Sequence, residues 1–260
     1  MRDILHCEEF GDVKKPTITF LHGLLGSSRN WRGVARELSQ NFNIFALDLR
    51  NHGSSFHSKN SSIFDMVGDL LHWMDHRNQK EMTLCGHSLG GKVAMKFACE
   101  YSHRIKRLVV ADIAPRNYPP EHHIPTLDAL LNIDLNSIDS RKMADEVLAA
   151  RVPNWAFRQF LLTNLIQSNG IFHWKPNLSV LRESIADLSV SPLQSDESFS
   201  GPSLFVRGGK SGYLRSEHFS DIVEHFPAAK MEVLPEAGQD VHGEDRKGFL
   251  RVFTEFLNST

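Results

Sequence analysis

The chain has 260 residues, 41% hydrophobic and 23% charged, with a formal net charge of -2 from 29 basic and 31 acidic residues. That is enough ordinary globular chain to bury a large core, and the absence of a basic run interleaved with aromatics excludes nothing but argues against a nucleic-acid partner. No stretch approaches the roughly 20 apolar residues of a membrane span, and the opening Met1 to His6 carries no apolar run of a signal peptide, so a soluble, cytoplasmic protein with reduced Cys7, Cys85 and Cys99 is expected.

The first half alternates short β-rich runs with amphipathic helices. A strand is predicted over Thr17–Leu21, then a helix in which Trp31, Val34, Ala35 and Leu38 recur at helical spacing. Asn43–Leu47 reads as the next strand, Phe64–His76 as a helix, and Met82–Cys85 as a strand. The helix that follows carries Val93, Ala94, Phe97, Ala98 and Tyr101 on one side. Arg107–Asp112 is again a strand, closed by Pro115. The strands are near-continuously apolar, which suits a parallel sheet covered by helices on both faces. Between Pro115 and Gly201 the pattern breaks: no strand is convincing, and helical pieces are expected around 123–132, 140–151, 154–167 and 178–188. Alternation resumes with Ser203–Val206, a helix near 216–226, a strand Lys230–Leu234, and a last helix with Phe249, Leu250, Phe253, Phe256 and Leu257 inward. An α/β core over 1–114 and 201–260 with a helical insert over 115–200 follows.

Gly86-His87-Ser88-Leu89-Gly90 satisfies G-x-S-x-G with a strand before it and a helix after it. That context, rather than the bare motif, makes Ser88 a nucleophile: the turn forces the serine into a strained conformation with its oxygen exposed, and flanking glycines remove colliding side chains. The plainer alternative is a Gly-rich turn with a capping serine. A nucleophilic serine needs donors for the oxyanion. The N–H of Leu89 opens the helix, and the loop His22-Gly23-Leu24-Leu25-Gly26 offers the N–H of Leu24. His22 comes too early in the Ser–acid–His order to be the base and is expected to order its loop.

With these stretches in hand, the chain resembles the α/β-hydrolase superfamily over nearly its full length, and within it the small YbfF-type bacterial esterases and their mitochondrial relatives. The matching segments are Leu21–Ser27, Leu47–Ser55, Gly86–Lys92, Ala111–Pro115, Phe160–Leu165 and Gly208–Ser211. The resemblance implies an α/β-hydrolase fold, a mostly parallel sheet flanked by helices with an inserted helical cap. It also implies a small-molecule carboxylic ester or acyl thioester as substrate, cleaved with no metal or organic cofactor. Many relatives place the triad acid after the strand here ending near Val206, but Arg207–Gly212 contains no Asp or Glu. The resemblance therefore points to Asp112 as the acid, with Ser211 as its neighbour. The plainer alternative for Asp112 is a strand-end cap before Pro115.

The base is the difficulty. Relatives carry Gly-His in the loop after the Lys230–Leu234 strand, where this chain reads Ala237-Gly238-Gln239-Asp240-Val241-His242. Gln239 stands at the position of the catalytic histidine, and glutamine cannot accept the serine proton. Three readings stand open: an engineered or sequencing-derived replacement in an ordinary enzyme, His242 acting as base through a shifted loop, or loss of hydrolysis with the pocket kept. Carbon–carbon bond chemistry or lyase work on the same scaffold is a further alternative, whereas haloalkane dehalogenases and epoxide hydrolases use Asp where Ser88 stands. No H-E-x-x-H, Cys/His cluster, P-loop or G-x-G-x-x-G is present, so no metal ligand set is expected.

Overall fold

A computed structural model describes residues 3–259; Met1 and Arg2, part of the opening read above for a signal sequence, and Thr260 lie outside them. Nine strands are described: β1 (Cys7–Phe10), β2 (Thr17–Leu21), β3 (Asn43–Leu47), β4 (Met82–His87), β5 (Ile105–Ala111), β6 (Leu165–Ser168), β7 (Ile171–Trp174), β8 (Ser203–Gly208) and β9 (Ala229–Leu234). Seven form one sheet in the order β1-β3-β2-β4-β5-β8-β9, parallel throughout except for β1, which runs antiparallel to β3. This is the mostly parallel, helix-flanked α/β-hydrolase fold that the resemblance implied.

The apolar strands bury both faces because alternate side chains serve different layers. From β2 and β3, Ile18, Phe20, Ile44 and Ala46 pack beneath α1 (Arg32–Leu38) and the C-terminal α11 (Arg246–Asn258). Their neighbours Leu21, Phe45 and Leu47 face the opposite layer, built on α2 (Ile63–His76) and α3 (Leu89–Glu100). Phe20 anchors the first layer, its ring 4.5 Å from that of Trp31 and 5.8 Å from that of Phe253. In α11 the buried residues are Phe249, Val252, Phe253 and Phe256, while Leu250 and Leu257 sit at the margin.

The register fixes where the site lies. Leu21 pairs with both Leu47 and Gly86, Gly86 with Val110, and Ala111 with Val206, so the carboxyl ends of β2, β4, β5 and β8 reach one edge together. The chain runs outward from β2 to β3 and then returns to β4 on the other side of β2. That reversal leaves a crevice between the loops after β2 and β4.

Four features differ from the sequence reading. β1 was not anticipated; its Cys-Glu-Glu-Phe sequence is a half-exposed edge strand with little apolar signal. The stretch between β5 and β8 is mainly helical, with α4 (Ile124–Leu131), α5 (Arg141–Ala149), α6 (Trp155–Leu162), α7 (Leu178–Glu183) and α8 (Ile185–Ser189), but it also holds the antiparallel hairpin β6–β7. The helix expected over 154–167 stops at Leu162, and the chain turns into β6. Lastly, β5 ends at Ala111, so Asp112 follows the strand rather than closing it. Among the described residues no helix is long and apolar enough to cross a membrane.

Replacing the fully buried Phe253 by alanine removes the ring beneath Phe20 and Phe249. A loss of about 3–5 kcal/mol in urea unfolding is expected, with the helical signal of the remaining folded protein unchanged.

Candidate active site

β4 ends at His87 and α3 begins at Leu89, leaving one residue to reverse the chain. Ser88 makes that reversal at φ 49° and ψ -114°, a conformation costing a non-glycine residue about 1–3 kcal/mol. Close approach explains the glycines: a Cβ on Gly86 would overlap the carbonyl of Gly90, and one on Gly90 the carbonyls of Leu21 and His22. The turn is pinned by the Ser88 N–H donating to the Ala111 carbonyl at 3.0 Å and the Gly90 N–H to the His22 carbonyl at 3.1 Å.

The loop after β2 lies against this turn. His22 is buried, and its two nitrogens have different tasks: Nδ1–H donates to the Gly23 carbonyl at 2.7 Å, while Nε2 accepts the Leu49 N–H at 3.0 Å. An amide N–H can only donate and a carbonyl only accept, so this ring is the neutral Nδ1–H form. Burial, opposed by the charge of Asp48, lowers its pKa and keeps it neutral. Asp48 in turn accepts the N–H groups of Ser28 at 2.6 Å and Ser54 at 2.7 Å. Leu25 adopts φ 59°, and its carbonyl accepts a hydrogen bond of 2.7 Å from the amide of Asn164, just before β6. Leu24 and Leu89 both line a cavity of about 30 Å³ beside Ser88, together with Lys92, Ile185, Leu188 and Tyr213. Leu89 opens α3, so its N–H is among those with no partner inside the helix.

Asp112 sits immediately past β5 at φ 51° and is fully buried. One carboxylate oxygen accepts the Gly208 N–H at 3.1 Å and the other the Ser211 hydroxyl. Burial pushes its pKa up to about 7, against the opposing pull of Ser211 and Gly208.

The loop after β9 brings Gln239, not His242, to the serine. The Gln239 side-chain amide donates to Ser88 Oγ at 3.5 Å, and its backbone carbonyl accepts from His87 Nε2 at 3.0 Å. His242 lies in the short α10 (Val241–Glu244), buried, with its ring stacked on Trp31 at 3.9 Å between centroids. The His87 ring meets it edge-on at 4.9 Å, and Asp240 Oδ1 is 3.1 Å from its Nδ1. Burial lowers its pKa to about 4, although Asp240 pulls the other way. His242 was read as a residue near the cap or a substitute base. It packs in the layer of Trp31 and Phe249.

Against known proteins, the model of the alpha/beta hydrolase fold matches residues 16–141. The sn-1-specific diacylglycerol lipase ABHD11 of Mus musculus is 37% identical over 254 residues, covering 95% of this chain and 82% of that one. The chain belongs to the α/β-hydrolase superfamily. Esterase YbfF of Escherichia coli is 30% identical over 241 residues, covering 93% of this chain and 92% of its own length. Among solved structures, a marine microorganism esterase superposes with a TM-score of 0.95 at 32% identity, covering 98% of this chain and all of that one. The α/β-hydrolase membership fits the strand–turn–helix arrangement at Ser88.

Lys92, among the residues lining the cavity, went unremarked in the sequence. Arg50, in the loop after β3, forms a bidentate buried pair with Asp69 of α2 at 2.6 and 2.7 Å. Lys92 lies in the quoted Gly86–Lys92 segment, and its signal was a charge four residues after Ser88, within the buried stretch of α3.

Asp112 carries a pH signature of definite sign. Its folded pKa stands above the ordinary value, so the folded state holds the proton more tightly and stability falls as pH rises from about 4 to about 7. Relative to Asp112→Asn, the parent should lose on the order of 1.4 kcal/mol per pH unit across that window. Urea titrations of both proteins at stepped pH check this. Buried His242, lowered to about 4, contributes the opposite slope to both proteins and cancels.

Proposed function

We propose that the chain is a serine esterase or thioesterase scaffold that forms an acyl-enzyme on Ser88, with its general base replaced by Gln239. Ester hydrolysis is the activity its esterase and lipase relatives share. In this reading Ser88 attacks the acyl carbonyl, the N–H groups of Leu24 and Leu89 hold the oxyanion, and water later releases the acid. Asp112 is the carboxylate that would orient and stabilise an imidazolium at position 239.

The observation that carries the reading is the hydrogen bond from the Gln239 amide to Ser88 Oγ. It points an N–H at the serine oxygen, where a base would instead accept the hydroxyl proton. Without a partner cation, Asp112 has nothing to stabilise, in keeping with its pKa near 7. The chain therefore keeps binding and oxyanion stabilisation and lacks nucleophile activation. Loss of a triad base costs up to about 10⁶ in turnover elsewhere, while the remaining machinery retains about 10³-fold over water.

Hydrolysis of p-nitrophenyl butyrate by the parent, Gln239→His, Gln239→His/Ser88→Ala and His242→Ala tests this. Gln239→His should raise kcat by about 10³-fold or more, with burst release of p-nitrophenol, and Ser88→Ala should abolish the gain. His242→Ala should leave turnover of the parent unchanged and lower stability by about 1–3 kcal/mol, because a stacked ring is lost. An active parent that fails on His242→Ala would instead make His242 the base.

A further inference from the structure

Lys92 is buried on the helix that presents the nucleophile, one turn beyond Ser88, whose carbonyl accepts the Lys92 backbone N–H at 3.0 Å. A methionine of similar reach would fill that space with no charge to desolvate. The Lys92 ammonium instead donates to three consecutive carbonyls at the C-terminal end of α8: Leu188 at 3.0 Å, Ser189 at 2.8 Å and Val190 at 2.7 Å. These carbonyls lack partners inside their own helix and form its negative pole, so a cation with three N–H groups matches them one for one. The Tyr118 ring lies 5.1 Å from the same nitrogen, and the Tyr118 N–H donates to the Ser189 carbonyl at 2.9 Å.

What Lys92 holds is the roof of the pocket. Ile185, Leu188 and Ser189 of α8 line the cavity together with Ser88, Leu24 and Leu89. At about 30 Å³ that cavity has room for a water or two, not for a long hydrocarbon chain. Deepening it requires α8 to move away from α3, and the three bonds from Lys92 join those two helices directly.

We propose that Lys92 is a specificity-determining positioning residue: by tying α8 to the nucleophile's helix, it fixes a pocket depth that favours short acyl groups and excludes long ones. This rests on the acyl-pocket reading above for the identity of the ligand, but not on the base being present. Burial pulls the ammonium down to about 7, so the third N–H is lost as pH rises through neutrality and one carbonyl is left without a donor. The facing groups are His123, lowered to about 4, Tyr118, raised to about 12, and Tyr213, also raised, all uncharged near neutrality. Asp112, which acts on both tyrosines and titrates near 7, is the other group in that window.

Three measurements decide it. In hydrogen exchange, Lys92→Met should speed the amides of residues 187–191 by about tenfold or more while β4 and β5 keep parental protection. Unchanged exchange there overturns the proposal. If the variant loses protection in the sheet as well, the parent serves alone. Raising pH from about 6 to about 9 should speed exchange at 187–191 beyond the intrinsic base-catalysed rate, and Asp112→Asn should keep that response. A response absent in the parent, or removed by Asp112→Asn, refutes Lys92 as its source.

For ligand choice, NMR titration with butanamide and octanamide reads the pocket without turnover. Lys92→Met should tighten octanamide by about tenfold relative to butanamide, and equal shifts for both count against the proposal. In the Gln239→His background, the kcat/KM ratio of p-nitrophenyl octanoate to butyrate should rise by about tenfold on adding Lys92→Met, mostly through KM. If Gln239→His hydrolyses no ester, the acyl-enzyme reading fails, and the amide titration and exchange still judge Lys92.

Discussion

The structure depends on one close approach: the turn between β4 and α3 brings the backbone of Gly86 against Gly90, and Gly90 against the end of β2, with no side chain between them. That contact sets how near α3 lies to the sheet, and so where Ser88 stands relative to the loop carrying Leu24. Ser88 takes the positive φ because the two anchoring bonds, to Ala111 and from Gly90 to His22, leave it no other path. Strain of about 1–3 kcal/mol is small against the burial of α3, whose residues from Leu89 to Ala98 are all buried. The geometry of Ser88 is thus supported by the core of the protein rather than by the pocket beside it.

Much of this was legible in the sequence because it rests on local pattern. Strands buried on both faces must be continuously apolar, and β2, β3, β4, β5 and β8 read that way. The edge strand β1 was missed because Glu8 and Glu9 give no apolar signal; its place comes from pairing with β3 alone. The hairpin β6–β7 was hidden for a different reason. Its first strand continues the apolar run of α6, and helix and strand periodicity cannot be separated over so few residues. The turn signal was nevertheless present, since Asn169-Gly170 sits at φ 51° and 82°, the positive pair a two-residue hairpin requires.

The site divided along the same line. Ser88, Leu89 and the loop after β2 follow from contiguous sequence. The pairing of Asp112 with Ser211 was named from family resemblance, and its hydrogen bond depends on β5 and β8 lying side by side. The fate of His242 was not readable at all. Whether a histidine three residues beyond Gln239 faces the serine depends on the rings around it, and Trp31 and Phe249, far away in sequence, claim its face. A neutral stacked imidazole is worth more to that layer than a charged one, which is why burial holds its pKa low.

The hydrogen bond from Asn164 to the Leu25 carbonyl has a consequence for how the insert and the core are coupled. It joins the insert, just before β6, to the loop that carries Leu24. Leu25 is held at a backbone angle that it would leave if released. Releasing that bond would therefore also relax the loop beside the Ser88 turn. The conformation of the loop beside Ser88 is thus set partly by a residue 139 positions away in the chain.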